Sequence, residues 1–98
     1  MPAYVIADVK VTDPQIYRQY TALSPGAVAA AGGEFIVRGG RTEVLEGAYQ
    51  PARLVVIRFS DMAAARAFYD SALYTQARAR RAGATEYFNM FVVEGIEP

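Results

Sequence analysis

The chain contains no cysteine and no histidine among its 98 residues. Without cysteine there is no disulfide, iron–sulfur cluster, thiolate zinc site or sulfur nucleophile; without histidine, the usual imidazole base and most transition-metal and haem sites go as well. Chemistry is left to carboxylates, tyrosines, arginines, hydroxyls, amides and a single lysine, Lys10, and no cofactor is expected. An excess of either charge is also lacking. Ten Lys and Arg balance ten Asp and Glu, with a pI near 6.2, so the basic face that marks nucleic-acid binding is not expected. No run reaches the 18 or more apolar residues of a membrane span, and no leader or lipidation pattern is seen. A soluble, cytoplasmic protein, bound to neither nucleic acid nor membrane, is the expectation. The Gly pairs match no phosphate-binding loop or dinucleotide fingerprint, which disfavours ATP and NAD.

What is present is apolar: 53% of residues are hydrophobic. Ala3 to Val11 alternates with period two and is rich in β-branched residues, predicting a strand. Asp13-Pro14 supplies an N-cap and a first-turn proline, and Ile16, Tyr17, Tyr20 and Leu23 follow at helical spacing. Ser24-Pro25 predicts a break, with a second helical piece from Gly26 to Ala31 ending at Gly32-Gly33. Glu34 to Arg38 reads as the second strand, closed by a turn or bulge at Gly39-Gly40, with a short extension over Thr42 to Leu45. Arg53 to Phe59 predicts a third strand, apolar on both faces. Ser60-Asp61 caps a helix from about Met62, offset near Asp70-Ser71 and ending by Arg81, and Glu86 to Val93 predicts the last strand.

The order β-α-β-β-α-β, with no linker to divide it, predicts one domain over residues 1–98. Its class is α+β: a ferredoxin-like antiparallel sheet with two helices on one face. The uncovered face would carry Tyr4, Ile6, Leu54 and Val56, with either Phe88, Met90 and Val92 or Tyr87, Asn89 and Phe91 from the fourth strand. A patch of that size is abnormal on a monomer. A homodimer packed through its two bare faces is the economical solution.

Several short motifs support this order. They are Asp13-Pro14-x-x-Tyr17-x-x-Tyr20, Gly32-Gly33-x-Phe35-x-x-Arg38-Gly39-Gly40, Leu45-Glu46-Gly47, Arg53-Leu54-Val55-Val56, and Ala67-Phe68-Tyr69-x-Ser71-x-x-Tyr74 with Arg81. Together they span nearly the whole chain and resemble the family known as domain of unknown function thirteen-thirty. The resemblance implies a dimeric α+β barrel, in which two ferredoxin-like protomers pack sheet to sheet. It supplies no reaction. Members of that superfamily include cofactor-free monooxygenases, lactone isomerases, haem enzymes and binding modules, so fold does not stand in for function. The haem members rely on a proximal His that is missing here. RNA-recognition domains share the element order, but the third strand lacks their base-stacking aromatics.

Individual residues carry two readings each. Asp8, in an apolar strand facing the barrel interior, could be a desolvated acid or base with a raised pKa; it could equally be paired with Arg38 or Arg58, or lie at a wet strand end. Arg38, beside two glycines, could hold a carboxylate or phosphate in a two-pronged contact, or tie a bulge to Glu46. Arg53, at the opening of the third strand, is singled out by the family resemblance alone and invites the same pair of readings. Tyr17, Tyr69 and Tyr74 could orient a substrate or donate to an oxyanion, or be core residues with hydroxyls at the rim. Asn89 could bind a carbonyl or face an edge. Arg81 could hold an anion, or complement the negative end of its helix together with Arg78 and Arg80.

Three functions are compatible with these residues. The first is a homodimer that binds a small, partly apolar organic anion in a pocket of the barrel, with Arg38 and Tyr17 as anchors. The second is a cofactor-free monooxygenase or isomerase with Asp8 as base. The third is a purely structural or interaction dimer.

Overall fold

A computed structural model describes residues 1–97. Its elements are β1 (Ala3–Val11), α1 (Pro14–Ala30), β2 (Glu34–Arg38), β3 (Arg53–Phe59), α2 (Met62–Asp70), α3 (Ala72–Ala79) and β4 (Thr85–Glu94). The strands form one antiparallel sheet in the order β2-β3-β1-β4. With all helices on one side, this is the ferredoxin-like α+β fold.

Local chemistry explains the helix boundaries. The Asp13 carboxylate accepts from the amides of Gln15 and Ile16, each at 3.1 Å, satisfying two of the free N–H groups at the start of α1. The expected break at Ser24-Pro25 does not occur: α1 runs through Pro25 as one helix. Ser24, Ala27 and Val28 around the proline are all buried, and this packing outweighs the amide that proline removes. The predicted offset in the second helix does appear, making two helices of it. Ser71 ends α2 and starts α3, its hydroxyl donating to the Phe68 carbonyl at 2.7 Å and accepting from the Tyr74 amide at 3.1 Å.

Register sorts the side chains. Val5, Ala7 and Val9 of β1 face the helices and meet Phe59, Phe68, Tyr74 and Val28 in the core. Gly33 admits the Phe59 ring against its backbone, since a Cβ there would lie 2.6 Å from a ring carbon. Phe88, Met90 and Val92 of β4 pack against this core, so Tyr87, Asn89, Phe91 and Val93 take the opposite face. There they join Tyr4, Ile6 and Asp8 of β1, with Leu54 and Val56 of β3 directly across. No strand forms over Thr42 to Leu45; residues 40–52 are an irregular loop.

The molecule is a slab whose Cα atoms span 37 × 35 × 16 Å, one layer of helices on one layer of sheet. It exposes 6228 Å², where a chain of 10.7 kDa ordinarily exposes about 5,500 Å². The exposed surface includes the loop, where Leu45 is 94% exposed, and an uncovered sheet face on which Phe91 remains 58% and Val93 45% exposed. Among the described residues, no helix is long and apolar enough to cross a membrane.

Candidate functional site

Four residues of α1, Pro14, Tyr17, Arg18 and Thr21, fall at i, i+3, i+4 and i+7 and so share one stripe of the helix. They form one wall of a cleft of about 530 Å³, completed by Val11 at the end of β1, Arg53 at the start of β3 and Arg38 at the end of β2. Arg53 pairs with Val9 and therefore faces the helices. Strict alternation along β2 would separate Arg38 from Phe35. A register shift between Phe35 and Val37 leaves Ile36 without a partner and sets Arg38 across from Val55, on the helix side. The Arg38 guanidinium then lies 4.5 Å over the Phe35 ring. Gly39 follows at φ +70, where a Cβ would collide with the Arg53 guanidinium. Glycine is required twice at that position, for the left-handed backbone and for the seat of Arg53.

The cleft is cationic and internally uncompensated. The ion pairs among the described residues join Met1 to Glu97, Lys10 to Glu86, Arg58 to Glu34 and Arg66 to Asp70; none engages Arg18, Arg38, Arg53 or Arg81. Nε of Arg53 and Nη1 of Arg81 are buried without a hydrogen-bond partner, an omission that ordinarily costs about 1–3 kcal/mol per group. Arg81 lies just behind the cleft, 3.6 Å over the Phe88 ring and 4.9 Å over that of Tyr20, and the Tyr17 and Tyr20 rings are 5.3 Å apart. Burial raises the Tyr17 pKa, although Arg53 and Arg81 pull it the other way. The phenol is thus a neutral donor at ordinary pH.

Asp8 stands on the other face of the sheet. Its carboxylate accepts from the Tyr49 hydroxyl, from the Ala52 amide at 2.9 Å and from the Tyr87 hydroxyl at 3.5 Å. Neither arginine considered from the sequence reaches it: Arg38 is across the sheet, and Arg58 sits 3.8 Å from Glu34. Asn89 is directly opposite Asp8 on β4 and exposed. Tyr74 is a core residue with no exposure; its hydroxyl shares a 2.7 Å hydrogen bond with that of Tyr20 and lies 3.9 Å from the Met90 sulfur. Tyr69 accepts from Arg78 Nη1 at 2.7 Å and lines a separate, smaller cavity of about 160 Å³ with Val5, Ala65 and Met90.

The structure therefore brings together Tyr17, Arg38 and Arg53, with Arg81 behind them. It separates from that group Tyr69, Tyr74, Asp8 and Asn89. The cleft opens on the helix side, not between facing sheets. Sequence reasoning missed Arg18, which the stripe through Pro14 and Tyr17 could have supplied, and Tyr49, for which an irregular loop offers no periodic signal. Among the described residues, no three His, Cys, Asp or Glu side chains are placed to hold a metal ion.

No curated protein matches the chain. Among solved structures it is similar to a protein of unknown function from Rhodopseudomonas palustris, with 17% identity, TM-score 0.74, and 99% of this chain and 84% of that one covered. A dimeric ferredoxin-like protein of unknown function from Jannaschia sp. is 15% identical at TM-score 0.72, covering 97% of this chain and 100% of that one. A candidate antibiotic biosynthesis monooxygenase from Nitrosomonas europaea is 17% identical at TM-score 0.61, covering 99% and 92%. These likenesses, all under 25% identity, are likenesses of fold. The motifs that run from Asp13 to Arg81 find the same counterpart in sequence: over residues 2–96 the chain matches the model for the domain of unknown function DUF1330, and it belongs to that family.

Proposed function

We propose that the protein is a homodimer in which each protomer binds a small, partly apolar organic anion in the cleft between α1 and the ends of β1, β2 and β3. One observation carries the ligand reading: three guanidiniums, of Arg18, Arg38 and Arg53, line a single cleft with no carboxylate among them. An anion supplies the acceptor that these donors lack, and charge-assisted contacts of this kind are the stronger class of hydrogen bond. Val11, Pro14 and the Thr21 methyl provide apolar surface for the rest of the molecule. Self-association is supported by the uncovered face. The Jannaschia neighbour is itself described as dimeric.

Calorimetric titration with benzoate and its neutral isostere benzamide tests the ligand reading. Benzoate is expected to bind at least about tenfold more tightly than benzamide, a difference of about 1.4 kcal/mol, and Arg53→Gln is expected to remove that preference. Equal affinity for the two probes in the unaltered protein would sink it.

The enzyme reading draws on the candidate monooxygenases of the same fold. Its proposed base, Asp8, has hydrogen bonds to the loop and lies across the sheet from the cleft, so the geometry gives it less support than anion binding.

A further inference from the structure

Within the cleft, charge is graded by depth. Arg53 is half-buried at the floor, beside the buried and neutral Tyr17, whereas Arg18 and Arg38 are exposed at the mouth, one on the helical wall and one on the strand wall. A single carboxylate engages one guanidinium fork in a two-pronged contact. Seated on Arg53 and Tyr17, it would leave the two exposed cations, Arg18 and Arg38, without a counter-charge. The volume, about 530 Å³, is within the range of small-molecule sites, and a bare inorganic ion would leave most of it empty. Val11 and Pro14 add apolar surface to the same cleft.

Resting on the anion-binding reading above, we infer that the ligand is a dianion whose two negative groups are separated by an apolar spacer. One group meets Arg53 and the Tyr17 hydroxyl at the floor, and the other bridges Arg18 and Arg38 at the mouth. A dicarboxylate with a short ring or chain between its ends has this chemistry. A phosphate monoester concentrates both charges on one group and does not.

Three probes with a common ring separate these cases: benzoate with one charge, isophthalate with two on separate groups, and phenyl phosphate with two on one group. Titrations at low ionic strength use the unaltered protein, Arg38→Gln and Arg18→Gln; both exchanges are at exposed positions, and circular dichroism checks that each variant is folded. The expected result is isophthalate binding at least tenfold more tightly than benzoate in the unaltered protein. Each glutamine variant is expected to bring that ratio close to one. Isophthalate equal to benzoate overturns the two-group ligand and leaves the anion site standing. Phenyl phosphate tighter than isophthalate overturns it in favour of a phosphate ester. An isophthalate advantage that survives both variants overturns the assignment to Arg18 and Arg38. Failure of all three probes to bind overturns this inference and the anion-binding reading together.

Discussion

On the helix side of the sheet, Val5, Ala7 and Val9 are at most 4% exposed; one residue along the same strand, on the other side, Tyr4 and Ile6 are only half-buried. The residue types are alike, so burial here is decided by what the topology lays over each face. Polar groups divide in a different way. On the open face the carboxylate of Asp8 is satisfied within the chain by Tyr49 and Ala52. On the helix side the guanidiniums of Arg53 and Arg81 are left short of partners. One face thus lacks an apolar cover, and the other lacks an anion.

The sharpest way to break this comparison is to truncate an aromatic on each side. Phe68, fully buried beneath the helices, should lose about 3–5 kcal/mol as Phe68→Ala, read from urea unfolding. On the open face Phe91→Asp should leave the circular dichroism spectrum intact and convert the protein to a monomer in sedimentation; a Phe91→Asp dimer would show that the interface lies elsewhere. A smaller effect concerns pH. Burial raises the pKa of Tyr17 and, still further, that of Tyr20, where the Tyr74 hydroxyl adds to it. The folded state therefore favours the neutral phenols over the unfolded chain, whose tyrosines ionise near about pH 10. That stability is fully present below about pH 10 and is lost as pH rises towards the folded values. The urea midpoint should fall above that pH, and Tyr20→Phe should flatten the decline. The smallest change belongs to Tyr49→Phe, which releases the loop's hydroxyl from Asp8. Amide hydrogen exchange over residues 44–52 should quicken while the melting temperature stays nearly constant.

Much of the fold was legible because period-two alternation and caps are local signals. β1 and β3 match the expected ranges, and the Asp13 and Asp61 caps and the offset at Ser71 stand where their side chains predict. The unbroken α1 was not legible, because burial of Ser24, Ala27 and Val28 is a tertiary effect that outweighs a local rule about proline. The site was half legible. Tyr17 follows from the helix stripe, whereas Arg53 was singled out by the family resemblance alone. Arg38 reaches the same side only through the irregularity at Ile36, a single residue that reverses the facing of Val37 and Arg38 and leaves no mark in the composition. The partners of Asp8 depended on the path of an irregular loop, which hydrophobic patterning does not encode.

The central place of β1 has a kinetic consequence. Its one edge pairs with residues 53–59 and its other with residues 85–94, so the first strand of this sheet waits for the fourth before the sheet is complete. Pairings so distant along the chain require large loops to close before any contact rewards them, which slows folding relative to helical chains rich in local contacts. Until β4 docks, β1 presents a long, β-branched edge to any other unfinished chain, and the period of greatest exposure to misassembly lasts until β4 has been made.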